Sequence, residues 1–104
     1  MGETKYQNDL VKKLMKLFPG AIITKGDPQQ NQGFPDLIIF WRDRWAALEV
    51  KQSASSPQQP NQEYFVGTMN NMSFAAFIYP ENERQVLDDL QQAFGSVRTA
   101  RSST

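Results

Sequence analysis

The chain has 104 residues, zero formal net charge, and 39% hydrophobic against 21% charged residues, a composition typical of one folded domain with a modest core. It contains no cysteine and no histidine. Disulfide scaffolds, zinc fingers, cysteine nucleophiles and histidine-based triads are therefore excluded. Any acid, base or metal-binding chemistry must come from Asp, Glu, Lys and Tyr, and such oxygen-rich sites suit Mg²⁺ or Mn²⁺.

Helical and extended patterns alternate along the chain. Apolar residues at three- and four-residue steps predict a first helix that ends at Pro19-Gly20. The polar stretch 25–32 is predicted to be an exposed, mobile loop. The predicted strands are 21–24, 36–41, 45–51 and 74–79, and the later helices open at Pro60 and at Pro80. We therefore expect an α/β domain of order α-β-β-β-α-β-α around a small mixed sheet.

The domain is expected to span residues 1–94. Gly95 is predicted to end the last helix, so that residues 95–104 form a flexible tail. The N-terminus is polar, with no apolar signal-peptide core, and the longest apolar run is too short to span a bilayer. A cytoplasmic location without membrane contact is the expectation.

One carboxylate stands at the head of an apolar strand. Asp36 is followed by Leu-Ile-Ile-Phe-Trp41, which predicts a central strand buried on both faces. Burying a carboxylate is costly unless a cation or hydrogen-bond donors compensate it. Glu49 and Lys51 lie two residues apart on the next strand, so both project from one face of the hairpin.

The hairpin turn decides whether these groups meet. If Asp43-Arg44 is the turn, Asp36 lies opposite Lys51; if Arg42-Asp43 is the turn, Asp36 lies opposite Glu49. Both turns place the two carboxylates on the same face, whereas a simple three-residue loop would separate them. Neighbouring carboxylates repel and need a cation, and with a backbone carbonyl and waters they make a plausible octahedral magnesium site. A lysine beside it can stabilise a phosphate oxygen or orient an attacking water, so the pattern predicts phosphodiester hydrolysis.

Pro35-Asp36, twelve intervening residues and then Glu49-Val50-Lys51 resemble the signature of the PD-(D/E)XK nuclease superfamily. Further short motifs resemble its VRR-NUC and Holliday-junction-resolvase-like branch, whose small members are found in phages and bacteria. These motifs are Glu3 with Gln7, Gly33-Phe34-Pro35-Asp36-Leu37, Leu48-Glu49-Val50-Lys51 and Pro60-Asn61-Gln62. The resemblance covers residues 3–94 and implies a restriction-endonuclease-like core.

The resemblance also implies roles for individual residues. Asp36 would be the central metal ligand, Glu49 the second ligand together with the carbonyl of Val50, and Lys51 the catalytic lysine.

Supporting residues are implied less uniquely. Glu3 would contact the metal directly or through water, although a first-turn helix acid explains it equally well. Gln62 would support the site from the second helix. Gln59 competes for that role, because Ser56-Pro57-Gln58-Gln59 also fits a pattern of the family, and Gln7 is a weaker candidate.

The implied activity is that of a metal-dependent DNA endonuclease, with Mg²⁺ as cofactor and Mn²⁺ able to substitute. The smallest members of the family act as homodimers on branched DNA, so Holliday-junction-like DNA is the preferred substrate. Exposed aromatic residues such as Trp45 or Phe74 could serve the dimer interface. Two alternatives stay open: a non-catalytic DNA-binding or assembly module on the same fold, and a nuclease for another DNA structure, either sequence-specific or single-stranded.

Overall fold

Helices and strands follow one another in the predicted order. The computed structural model describes residues 2–26 and 32–102, with side chains described from residue 5 to residue 95 within those ranges. The elements are α1 (Gly2–Leu17), β1 (Ile22–Lys25), β2 (Leu37–Trp41), β3 (Arg44–Val50), α2 (Gln62–Met72), β4 (Phe74–Ile78) and α3 (Glu83–Ser102). The predicted α-β-β-β-α-β-α order is confirmed. Most of the predicted mobile loop 25–32 lies outside the described residues.

The four strands form one mixed sheet in the order β1-β2-β3-β4. The first three strands are antiparallel, while β4 runs parallel to β3. In the β2–β3 hairpin Trp41 pairs with Arg44, so Arg42-Asp43 is the turn. Arg42 has φ 61°, the positive value that two-residue hairpin turns require at their first central position.

The helices cover the two faces of the sheet unequally. On one face α1 and α3 contribute Leu14 and Leu90 to a core that also contains Ile39 and Leu48 of the sheet. On the other face α2 places Val66 against Ala47 of β3 and against β4. Burying these apolar side chains is the main force that holds the three layers together. We call the second face the α2 face.

The prediction that β2 is buried on both faces is wrong. Leu37 and Ile39 are buried, but Phe40 is 46% exposed and Ile38 is only half-buried. The strand buried throughout its second half is β3, over residues 46–50. The reason is that α2 packs over β3 and β4, which leaves the α2 face of β1 and β2 largely uncovered.

Two aromatic residues expected to be exposed are packed instead. Phe74 is half-buried against the core shared with α1 and α3, and Trp45 is half-buried against the core under α2. Both side chains stabilise the monomer, so neither is a large exposed surface for an interface.

The predicted end of α3 at Gly95 is also wrong, because the helix continues to Ser102. A glycine ends a helix when it adopts a left-handed conformation, and among the described glycines those with positive φ are Gly20 and Gly33. Gly95 stays inside the helix at a cost of about 1 kcal/mol relative to alanine. The division into a domain of residues 1–94 and a flexible tail stays a prediction.

None of the three helices, over the part of the chain that the structure describes, combines the length and the apolar character needed to cross a bilayer.

Candidate active site

The hairpin brings Asp36 and Glu49 together. Asp36 immediately precedes β2, and because Leu37 pairs with Leu48, the next position outward pairs Asp36 with Glu49. Side chains of directly opposed residues lie on the same face, about 5 Å apart at Cβ. The Asp36 carboxylate accepts a hydrogen bond at Oδ2 from the backbone N–H of Val50, over 2.9 Å. Of the two turns left open by the sequence, the structure has the one that places the two carboxylates opposite each other.

The backbone around Asp36 is fixed by close contacts with neighbouring elements. The N–H of Gly26, at the end of β1, donates to the carbonyl of Asp36 over 2.7 Å. A Cβ at Gly26 would lie 2.3 Å from the carbonyl oxygen of Pro35, and one at Gly33 would lie 2.6 Å from Cβ of Asn61. Only glycine allows these approaches. Residues 33–36 are therefore in close contact with the end of β1 on one side and with the start of α2 on the other.

Glu49 is the one buried charged residue among those whose side chains are described, with 3% exposure. Burial of a carboxylate requires compensating partners. Gln62 supplies one, because its Nε2 donates to Glu49 Oε2 over 2.7 Å. Lys51 supplies a positive charge, since its Nζ lies 3.9 Å from the same oxygen. Glu49 is thus oriented by an amide and paired with a cation.

The Lys51 side chain, like that of Glu49, is largely shielded from solvent and held by hydrogen bonds. Its side chain is only 11% exposed. The ammonium donates to Gln62 Oε1 over 2.6 Å and to the carbonyl of Pro57 over 2.9 Å. Its backbone N–H donates to the carbonyl of Ile78 over 2.8 Å, which extends the β3–β4 pairing by one residue. The position of the positive charge is therefore set by both the sheet and the following loop.

Gln62, rather than Gln59, brings its side chain to the two charged residues. Its amide bridges Glu49 and Lys51, with Nε2 facing the carboxylate and Oε1 facing the ammonium. Gln59 contributes its backbone N–H, which donates to Gln62 Oε1 over 2.8 Å. Rotating the Gln62 amide by 180° would place its Nε2 donor against the Lys51 ammonium and its Oε1 acceptor against the Glu49 carboxylate. The hydrogen bonds therefore fix the orientation of the amide. We call Asp36, Glu49, Lys51 and Gln62 the acid–lysine cluster.

The first helix is less fully described. The side chain of Glu3 lies outside the described residues, although its backbone belongs to the first turn of α1. Lys25 Nζ lies 3.5 Å from Asn8 Oδ1, so the first half of α1 reaches the end of the sheet at which β2 begins. Gln7 is half-buried, and the described contacts of the acid–lysine cluster do not include it. Its role in the site stays a prediction.

The acidic residues available to a metal are few. Among the described side chains, no group of three or more His, Cys, Asp or Glu could hold a metal ion. Asp36 and Glu49 form a pair, and Val50, which follows Glu49 in the chain, contacts Asp36 through its backbone N–H. The candidate metal ligands among the described residues are therefore two carboxylates and the Val50 carbonyl, all of them oxygen ligands.

A second polar cluster, which no sequence pattern predicts, joins α1 to the start of α3. The hydroxyl of Tyr6 donates to Glu83 Oε1 over 2.8 Å, and Lys13 pairs with the other carboxylate oxygen over 2.5 Å. Burial, and then the hydrogen bond and the negative charge of Glu83, raise the pKa of Tyr6 above its usual value. Tyr6 and Glu83 are 77 residues apart in the sequence, so no local pattern could predict their contact.

The contact of Lys51 with the carbonyl of Pro57 is the other one that sequence patterns missed, because a backbone acceptor carries no residue-type signal.

No protein-family model matches this chain, and no curated protein or solved structure matches it either. A functional proposal therefore depends on the acid–lysine cluster and on the fold that positions it.

Proposed function

We propose that this protein is a metal-dependent DNA endonuclease that hydrolyses phosphodiester bonds with the acid–lysine cluster. One observation carries the proposal: a single amide holds a lysine ammonium and a buried carboxylate 3.9 Å apart, on the same face as a second carboxylate. The motif that resembles PD-(D/E)XK nucleases is thus spatially assembled, and the mixed sheet with helices on both faces is compatible with a restriction-endonuclease-like core.

The residues fit a magnesium ion. Mg²⁺ is typically bound through one or two carboxylates and keeps several waters, so a pair of acids is sufficient. Asp36 and Glu49 would hold it together with the carbonyl of Val50, and Glu3 is a further candidate ligand. When bound, such an ion supplies polarisation of a phosphoryl oxygen and a water of lowered pKa. Mn²⁺ has the same preference for oxygen ligands and would substitute.

Lys51 would act on the phosphate rather than on the metal. A protonated ammonium has three donors and no lone pair, so it cannot be a ligand. Gln62 and Pro57 use two of the donors, and the distance of 3.9 Å to Glu49 is too long for a hydrogen bond, which leaves one donor for a substrate oxygen. A positive charge fixed before the reaction stabilises the negative charge that develops on the phosphate.

Gln62 is a positioning residue in this proposal, since it acts through Glu49 and Lys51. Branched DNA of the Holliday-junction kind is the proposed substrate, and a homodimer the proposed assembly. A two-fold pair of so small a domain would present two sites to two strands.

The proposal is tested by incubating the protein with labelled duplex, single-stranded, flap and four-way-junction DNA. Each substrate is tested with Mg²⁺, Mn²⁺ or EDTA, and Asp36→Asn serves as the control for contaminating nucleases. We expect cleavage with either metal, none with EDTA, none by the variant, and a preference for the junction. Binding of DNA without cleavage of any substrate would favour a non-catalytic module instead.

A further inference from the structure

The half of the α2 face formed by β1 and β2 is mostly exposed, because α2 packs over β3 and β4 and only the inner residue Ile38 packs partly against the core under α2. Strand pairing places Ile22 beside Phe40 and Thr24 beside Ile38, and residues opposed in this way share a face. Ile22 is 67% exposed, Phe40 is 46% exposed, and Thr24 is also exposed. We call these four residues, Ile22, Thr24, Ile38 and Phe40, the open shelf. It lies beside α2, which packs over β3 and β4.

The open shelf lies on the same face of the sheet as the acid–lysine cluster and adjoins it along β2. Residues 36, 38 and 40 alternate with the buried residues of β2, so Asp36, Ile38 and Phe40 line the same face. At a rise of about 3.3 Å per residue, Phe40 lies roughly 13 Å from Asp36 along the strand. A strand of nucleic acid whose phosphate occupies the cluster and which follows β2 would therefore pass within reach of the Phe40 ring.

The chemistry of the open shelf suits bases and not phosphates. Three of its residues are apolar, the fourth is Thr24, and none is charged. An exposed aromatic ring in an apolar surface is the arrangement on which single-stranded nucleic acids stack their bases. In a duplex the faces of the bases are stacked on each other and unavailable to such a surface. Backbone contacts, which need cations, would have to be made elsewhere.

We infer that the open shelf binds the unpaired bases of a nucleic acid strand whose phosphate enters the acid–lysine cluster, with Phe40 as the stacking platform. The inference rests on the proposed nuclease function and narrows its substrate class. Within a branched substrate, the strand that is cut carries unpaired bases next to the scissile phosphate, as at an opened junction or a flap.

The test is equilibrium binding in EDTA, so that binding is measured without cleavage. The probes are a short single-stranded oligonucleotide containing 2-aminopurine and its duplex. Phe40→Ala is expected to weaken single-strand binding about fivefold or more and to abolish the change in 2-aminopurine fluorescence, while Phe40→Tyr retains both. Met15→Ala is the matched control, because Met15 is 53% exposed on α1, which packs on the opposite face of the sheet. Duplex binding should change little in any variant.

Two results would overturn the inference. In one, Phe40→Ala and Met15→Ala bind the single strand with equal affinity, whether or not the wild type proves to be a nuclease. In the other, sedimentation shows a wild-type dimer that Phe40→Ala converts to a monomer, which means that a second copy of the chain covers the open shelf. Binding that depends on Phe40, without cleavage in any metal, would support the open shelf and defeat the nuclease proposal.

Discussion

The amide oxygen of Gln62 accepts a hydrogen bond from the Lys51 ammonium over 2.6 Å, while the nitrogen of the same amide donates to Glu49 over 2.7 Å. One neutral side chain, at the first position of α2, thus holds a buried carboxylate and a largely shielded ammonium in fixed positions. The bridge joins the sheet, which carries both charged residues, to the helix that covers it. Disturbing Gln62 should therefore change the chemistry of the site and the stability of the fold together.

Gln62→Glu should be more harmful than its small change in size suggests. A carboxylate oxygen would replace the Nε2 donor and stand 2.7 Å from Glu49, where like charges repel and the hydrogen bond from Gln62 is lost. We expect a loss of about 1–3 kcal/mol in the free energy of unfolding and a cleavage rate at least about tenfold lower. Urea denaturation and single-turnover cleavage measure the two effects.

Gln59→Ala is the control for Gln62→Glu, because Gln59 contributes only its backbone N–H to the described network. The control should be close to wild type in both measurements. Equal effects of the two substitutions would show that the amide bridge has no particular importance.

Metal binding should depend on the paired carboxylates. Millimolar Mn²⁺ is expected to raise the Tm of the wild type, because a ligand that binds the folded state stabilises it. Asp36→Asn and Glu49→Gln should each reduce that rise and abolish cleavage. Asp43→Asn removes an equal charge from an acid that is 86% exposed at the hairpin turn, and it should leave both unchanged. A full Tm rise in the first two variants would place the metal elsewhere.

The hairpin turn should be sensitive to the shape of residue 42. Arg42 has φ 61°, a conformation that β-branched residues adopt at high cost and glycine at none. Arg42→Val should therefore be less stable than Arg42→Gly by about 1–2 kcal/mol in urea denaturation. Both substitutions remove the guanidinium that lies 4.3 Å from the Trp41 ring, so that contact cancels in the comparison. Equal stability of the two variants would contradict the strained turn.

The same turn shows where prediction from sequence stops. Residue periodicity predicts that Asp36 and Glu49 share a face if the hairpin has a two-residue turn, and it leaves two such turns possible. Arginine is not a residue that marks a left-handed turn position, so the choice between them depended on the pairing of Trp41 with Arg44. Likewise the position of α2 over β3 and β4 is set by a crossover, which explains why the exposure of Phe40 was not predicted.

For a related reason, sequence patterns do not determine whether Gln59 or Gln62 supports the site. Both follow a proline by two residues, and a helix opening at Pro60 was predicted, whereas α2 begins at Gln62. Which amide reaches the sheet depends on the rotation of the helix about its axis. That rotation is determined by the packing of Val66 against Ala47 and Ala75, which involves residues distant in sequence.

The alkaline stability of the protein should depend on Tyr6. Burial and the contact with Glu83 raise the pKa of Tyr6 in the folded state, so above pH 10 the unfolded state releases a proton that the folded state keeps. The contribution is fully present below the unfolded pKa of about 10 and is lost as the pH rises above it. Tyr6→Phe should therefore differ most from wild type below pH 10 and converge with it at higher pH.

Urea denaturation as a function of pH measures the effect of Tyr6→Phe. Tyr64→Phe is the matched control, since Tyr64 is 66% exposed on α2. A difference between wild type and Tyr6→Phe that stays constant from neutral pH to above pH 10 would contradict the assigned contact.

The central claim, that the acid–lysine cluster hydrolyses phosphodiester bonds, is tested most directly by single-turnover cleavage at saturating enzyme and metal with Lys51 replaced. Lys51→Ala removes the charge, and Lys51→Gln keeps a hydrogen-bonding group beside the buried Glu49 in case the alanine variant is unstable. Circular dichroism confirms that each variant is folded at the assay temperature. We predict rates orders of magnitude below wild type for both variants, with the Mn²⁺-induced rise in Tm preserved, because Lys51 acts on the phosphate and not on the metal. A rate within a few-fold of wild type in a folded variant would contradict the claim.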